Sequence, residues 1–309
     1  MAAILIPLIF LLITQLIHLT MQPSRDLWDW RDSVAFGYLS VSAFFFLTCE
    51  GLSLLKLLTR DMIVLVWGAI LLILLLVLRK MLSNRPIAGT KTTPEIKPRP
   101  RKFLDWLFLC VLTVIIILTG ITAYIAPPHE SDVLAYHMPR VLHWIQNQTT
   151  ANYAVPDARH LWMPPWPAYA QTNLYLLSGG DKLANMIQWS AMLLSVILAS
   201  RLAAYLGATR RGQLLAALFV ATLPVGIYQA SSSFTDYSAA SWVTVSALLV
   251  LRSRKTDIGW VEWIGLGLSV ALGYLTKGTY ILFALPILAY LYLTVSGRPD
   301  HLTGWYVAS

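Results

Sequence analysis

Four short stretches carry residue types suited to proton transfer and anion binding. SDVLAYHMPRVLHWIQN (131–147) contains Asp132, two histidines, Arg140 and Trp144. RHLWMPPWPAY (159–169) sets Arg159 and His160 ahead of the stiff Pro164–Pro165 pair, with Trp162 and Trp166 on either side. SSSFTDY (231–237) contains Asp236, and LTKGTY (275–280) contains Lys277 and Gly278. Three of them lie at the ends of apolar runs, and RHLWMPPWPAY lies in the long segment between two such runs. Two carboxylates, a histidine and a lysine from four loops facing one compartment could form a single site. Ionisable groups near a membrane are costly to keep, which makes each a functional candidate.

Taken singly, each has a plainer explanation. Asp132 and Asp236 are each in position to cap the helix that follows. Lys277 can snorkel to the interface. His160 reads as a hydrogen-bonded loop residue, and the Pro-Pro pair as a turn. Glu50, inside an apolar run, reads as a helix–helix contact. The conjunction carries more weight than any member.

The elements that must position these residues are membrane helices. Of 309 residues, 57% are hydrophobic and 12% charged, about half the charged share of a soluble domain. The expected fold class is an all-α polytopic membrane protein. Nine runs approach the length of about 20 apolar residues needed to span a bilayer, namely 3–20, 36–58, 61–79, 103–126, 183–206, 212–229, 237–251, 260–276 and 279–295. The run 237–251 is short and serine-rich. The first run lacks a basic leader and a cleavage site, and reads as a retained helix.

The net charge of +8 does not point to nucleic acid, because the basic residues cluster between runs. Arg79, Lys80, Arg85, Lys91, Lys97, Arg99, Arg101 and Lys102 fill one loop. Arg210 and Arg211 fill another, and Arg252, Arg254 and Lys255 a third. By the positive-inside rule these loops are cytoplasmic. The segments 127–182, 230–236 and 277–278 then face outside. Counting backward puts the 21–34 loop inside and Lys56 and Arg60 near an outer turn. The expected organisation is a group of about three helices (1–82), a basic linker rich in Pro and Lys (83–102), a core (103–296) with outer loop 127–181, and a tail (297–309). Cys49 and Cys110 lie in separate runs and read as small buried hydrophobes.

Within the outer loop, helical spacing begins at Pro139, which suits a first helical turn. Met138, Leu142 and Ile145 share one face, with Arg140, His143 and Asn147 toward the other. An amphipathic helix beside a span usually lies in the interface, and Trp144 would be its anchor. That reading leaves Asp132 without a role.

The order of these features resembles the GT-C class of membrane glycosyltransferases, with bacterial relatives of protein O-mannosyltransferases, the lipid A aminoarabinose transferase and Rgt-like enzymes. The resemblance covers about 103–296. It is strongest where SDVLAYHMPRVLHWIQN is similar to the Asp-x-x-x-Tyr-His-x-Pro-Arg-x-x-x-Trp pattern of a bacterial branch. It implies a sugar donor on a polyprenyl phosphate, a glycan, lipid or protein acceptor, and chemistry on the outer face of a bacterial cytoplasmic membrane, with inversion at the anomeric carbon. Asp132 would be the catalytic base. Lys277, with Arg159 and Arg140, would hold the donor phosphate. Asp236 would orient the acceptor, or bind a divalent metal ion with His160. Trp162 and Trp166 would stack on a sugar.

Closer relatives of the aminoarabinose enzyme carry an acidic residue and a lysine directly before Pro-Pro, where this chain has Trp162 and Met163. Relatives also continue with more helices, so the chain reads as a fragment or a shortened member. No P-loop or strand-borne GxGxxG is present, as fits a lipid-linked donor. The rival readings are a transporter or flippase for a lipid-linked sugar, which would favour midplane charges and broken helices, and a non-catalytic membrane scaffold.

Overall fold

The computed structural model describes residues 2–21, 28–83, 103–253 and 259–296. The basic linker from 84 to 102, Arg254 and Lys255, and the tail from 297 lie outside the described residues.

Among the described residues the chain is helical. After a short 3-10 turn (Ala2–Ile4) come α1 (Leu5–Met21), α2 (Trp30–Leu54), α3 (Arg60–Ser83) and α4 (Phe103–Ile125). The segment 127–181 holds a π-turn (Val133–His137) continuous with α5 (Met138–Asn147), then α6 (Arg159–Trp162) and α7 (Trp166–Ser178). The remainder is α8 (Met186–Tyr205), α9 (Arg210–Ala221), α10 (Pro224–Ala230), α11 (Asp236–Ser253), α12 (Trp260–Thr276) and α13 (Tyr280–Ser296).

Each of the nine apolar runs forms helix. Among the described residues five helical stretches are long and apolar enough to cross a membrane: Ala2–Met21, Trp30–Leu54, Arg60–Ser83, Phe103–Ile125 and Met186–Tyr205. The run 212–229 is broken: α9 and α10 meet at 69°. The cause is local. Pro224 has no N–H and disfavours the helical conformation in the residue before it, and Leu223 is accordingly extended at ψ 120°. Wide apolar faces remain open, as on α3 (Leu65, Leu72, Ile73), α4 (Ile117, Leu118, Ile121) and α13 (Leu282, Phe283, Leu285). Apolar patches of this extent suit hydrocarbon rather than water. Cys110 also lies on an exposed face of α4, whereas Cys49 is buried as expected.

The long helices define two ends of the bundle, and α8 runs between them. At one end, Asn185 donates to Ala126 O after α4 and accepts from Ser233 just before α11. At the other end, Arg201 donates to Asp32 Oδ1 and Oδ2 at 3.0 and 2.6 Å. Arg252 at the end of α11 lies 3.4 Å from both Asp32 and Glu262 of α12. Arg211 pairs with Asp105 of α4 at 2.9 Å. The described basic positions Arg201, Arg211 and Arg252 thus share one end, with exposed Trp106, Trp260 and Trp263 on the helices nearby, the amphipathic rings favoured at a membrane interface. The loop between α2 and α3 is at the other end, where Ser53 bonds Thr149 and Thr150.

Candidate functional site

The end away from the basic positions contains a cavity of about 610 Å³. It is lined by Asp132, Tyr136 and His137 from the π-turn region, Trp162 to Pro165, Phe234 to Asp236, and Tyr274 to Thr279. The four stretches singled out in the sequence meet here.

Asp132 opens the wall of this cavity. It makes no side-chain cap to the following turn, so the capping explanation does not account for it. Its Oδ2 accepts from the Tyr136 hydroxyl at 3.3 Å and its Oδ1 faces Arg159 Nη1 at 3.4 Å. The side chain is 48% exposed. Both bonds are long, leaving acceptor capacity for a further donor. Arg159 is held more firmly by Asp157, through Nε and Nη2 at 2.8 to 3.1 Å, and it lies over the Tyr136 ring at 5.0 Å.

Lys277 and Asp236 meet on the cavity wall, Nζ to Oδ1, at 2.5 Å. Lys277 ends α12 in an extended conformation, φ −159° and ψ 126°, and a tight turn to α13 follows through Tyr280 N–H to Lys277 O at 2.9 Å. Asp236 is the first residue of α11. Its carboxylate is committed to the lysine, and neither residue needs the capping or snorkelling explanation.

His160 and Arg140 stand behind the cavity wall. Pro139 has no N–H, so Ala135 O lacks the donor a regular helix would supply. His160 Nε2 supplies it at 3.0 Å. The other ring nitrogen, Nδ1, is hydrogen-bonded to the Tyr153 hydroxyl at 2.8 Å. Both ring nitrogens are occupied and Asp236 is paired elsewhere, so His160 and Asp236 do not fit a metal ion. Among the described residues no group of three or more metal-ligating side chains is assembled. Arg140 is 1% exposed and donates to Arg159 O and Met163 O at 2.9 and 3.0 Å. A cation on the last carbonyls of a helix is favourable. Arg140 therefore caps α6 and fixes the entry into Pro164–Pro165. In this arrangement it does not face the cavity.

The two tryptophans separate. Trp162 is 65% exposed and lines the cavity. Trp166 is 1% exposed, donates to Ser42 O and meets Trp242 edge to face, so its ring is core. Trp144 differs from expectation in the same way. It is buried and stacked on Tyr169, while Leu142 is exposed. The buried residues of α5 are Met138, Arg140, Val141 and Trp144, because α5 packs on α7 rather than on lipid. Glu50 joins helices as expected, accepting from the Tyr169 hydroxyl at 2.5 Å and from Thr150 at 3.1 Å.

A second, largely apolar groove of about 990 Å³ runs between α1, α2 and α8. Its lining includes Phe10, Tyr38, Trp189, Leu193 and the Gly180–Lys182 turn. Trp166 borders it three residues beyond Met163, which lines the first cavity.

The sequence reading assigned no role to Tyr136 or His137, although both lie within the motif. It also missed the Asp32–Arg201–Arg252–Glu262 cluster, for which the arginine inside the apolar run 183–206 was the available signal.

Residues 163–306 match the family described as dolichyl-phosphate-mannose-protein mannosyltransferase. The matched segment contains Asp236 and Lys277 and begins just before Pro164–Pro165; Asp132 lies outside it. No curated protein and no solved structure matches the chain.

Proposed function

From the premise that this segment supports placement in the GT-C glycosyltransferase superfamily, and with it a membrane glycosyltransferase of the mannosyltransferase type, we propose a sugar transfer from a polyprenyl-phosphate donor. The acceptor is a hydroxyl on a glycan, lipid or protein outside the cytoplasm. The observation that carries this reading is the meeting of Asp132, Asp236 and Lys277 around one cavity at the end away from the basic positions. The catalytic unit is residues 103–296, with the first three helices packed beside it. By the positive-inside rule the cavity faces the outside of a bacterial cytoplasmic membrane.

Asp132, on the cavity wall, takes the proton of the acceptor hydroxyl as general base. The hydroxyl oxygen attacks the anomeric carbon from the side opposite the phosphate, and the configuration inverts. The bond to the phosphate oxygen breaks and its electron pair stays with the phosphate. The leaving group needs charge stabilisation more than a proton. Lys277 and Arg159 supply it. Phosphate entry exchanges one anion for another beside Lys277, freeing Asp236 to orient the acceptor. Trp162 offers an aromatic face to a sugar. Arg140 and His160 act as positioning residues through the chain segments they hold. The apolar groove bordered by Trp166 offers the polyprenyl chain a surface shielded from water.

The test has two parts. Single cysteines at 132, 236 and 277, in a chain lacking Cys49 and Cys110, are labelled in intact cells with an impermeant thiol reagent. All three are expected to label from outside. Transfer from a mannosylated polyprenyl phosphate is then compared between the wild type and Asp132→Asn. Labelling of position 132 on the side opposite 236 and 277, or unchanged transfer by Asp132→Asn, would overturn the reading.

A further inference from the structure

The proposed chemistry uses Asp132 and leaves His137 without a task. His137 lines the same cavity yet is only 6% exposed, and its Nδ1 is buried without a hydrogen-bond partner. Orphaned buried polar atoms are uncommon and call for an explanation. The ring is held in place by Tyr136, with centroids 4.3 Å apart.

The backbone explains how this residue reaches the cavity. In a regular α-helix the residue four positions after Asp132 shares its face, and the fifth turns away. Here the turn is widened: Met138 N–H bonds Val133 O, five residues back. Single π-turns of this kind are frequent at functional sites. The wider turn brings both Tyr136 and His137 to the cavity that Asp132 lines. Tyr136 is used at once, in its bond to Asp132. His137 is brought to the same place with an unused nitrogen.

The charge environment narrows what it can bind. Burial, then the cations Arg140 and Lys277, push the imidazole down to about 3. A neutral imidazole has one donor and one acceptor nitrogen. Whichever of the two meets the cavity, a hydroxyl can pair with it, since a hydroxyl both gives and takes a hydrogen bond. The ring suits a phosphate less well, since only the donor nitrogen can serve one. His137 and Lys277 line the same cavity, so a sugar whose phosphate lay at Lys277 would occupy space that the imidazole borders.

We propose that His137 binds a hydroxyl of the donor sugar and thereby distinguishes a glycosylated polyprenyl phosphate from the bare lipid phosphate. This rests on the glycosyltransferase reading above.

The full chain in nanodiscs is titrated with polyprenyl phosphate and with its mannosylated form, following binding and thermal shift. The wild type is expected to bind the mannosylated lipid more tightly. His137→Phe keeps a ring against Tyr136 and removes both nitrogens. It is expected to weaken the mannosylated lipid about tenfold and to leave the bare lipid unchanged. His137→Leu is the smaller alternative if the phenyl ring does not fit. His137→Asn retains a polar amide near Nδ1 and is expected to recover most of the difference. If the apolar variants keep the full preference for the mannosylated lipid, the role of His137 is overturned. If the wild type binds both lipids equally, His137 does not sense the sugar, while the lipid-phosphate reading stands. If the wild type binds neither, the glycosyltransferase reading for this donor fails and the inference falls with it.

Discussion

Lys277 and Asp236 bring together the C-terminus of α12 and the N-terminus of α11 through a 2.5 Å ion pair on the cavity wall. Each side chain is more than a third exposed, so the pair adds little to stability. Its consequence is competition, since an entering phosphate must draw Lys277 from a carboxylate. Lys277→Met is expected to weaken binding of polyprenyl phosphate about tenfold or more, as loss of a hydrogen bond to a charged group implies. Asp236→Asn removes both the competitor and its repulsion, and is expected to tighten the same binding. Titration of the nanodisc-embedded protein measures both. A lipid affinity indifferent to both changes would place the phosphate elsewhere.

Asp132 has two long contacts and is half exposed, so replacing it disturbs little of the fold. Asp132→Asn keeps the shape and removes the base. Transfer is expected to fall by about 10²- to 10⁴-fold, the range of general-base contributions, in kcat rather than in donor affinity. Single-turnover kinetics with the mannosylated lipid separate the two. A loss confined to KM would make Asp132 a binding residue.

The helices were legible in the sequence because long apolar runs leave the backbone no alternative in a bilayer. The cavity stretches were legible for the complementary reason: charged side chains stand out against such runs. Burial within the segment 127–181 was not. Trp144, Trp166 and Arg140 have residue types that suit an interface or a ligand, yet all three are packed inside. What buries them is the docking of α5 and α7 on the bundle, a tertiary event that spacing does not encode. The π-turn was hidden as well. Helical periodicity begun at Pro139 gives no sign that the preceding turn is widened. His160, read singly as a hydrogen-bonded residue, is one, but its partner could not be named from spacing: the carbonyl left open by Pro139 belongs to Ala135, 25 residues away in sequence.

Gly273 transmits packing to Lys277. A Cβ at this position would lie 2.5 Å from Tyr280 Cζ. That ring is buried and its hydroxyl bonds Ser246 at 2.8 Å, so it cannot swing aside. Gly273→Ala must separate α12 from α13 at the turn that carries Lys277. The expected cost is about 1–3 kcal/mol, as for other overpacked sites, with weaker binding of polyprenyl phosphate. A thermal melt and the lipid titration test this together. An unchanged melting temperature would mean that the two helices yield freely here.

At the opposite end, Asp32 serves Arg201 and Arg252 in a buried cluster. Removing one partner of a buried pair costs about 3–5 kcal/mol because the remaining charge stays desolvated. Asp29 and Glu262 also approach these arginines, so Asp32→Asn is expected near the lower end, about 3 kcal/mol. Lipid binding at the distant cavity should persist in whatever fraction remains folded. Detergent melting curves, compared with lipid titration on the surviving monodisperse protein, check both halves. A variant as stable as the wild type would show that the neighbouring carboxylates suffice.

The depressed imidazole of His137 predicts an acid dependence whose sign can be worked out. Burial and the two cations hold it at about 3 in the folded chain, against about 6.5 for a free histidine. Between these values the unfolded chain binds a proton that the folded chain refuses, so stability falls as pH drops through this window. Above about 6.5 both states are neutral and the penalty vanishes. His137→Asn does not titrate, and is expected to flatten the decline in melting temperature between roughly pH 6.5 and the acid limit. Its melting temperature at neutral pH isolates any packing loss from this effect. Melts of both proteins across the window make the comparison. Parallel curves would mean that His137 accepts a proton while folded, and its cavity would then present a cation rather than a neutral ring.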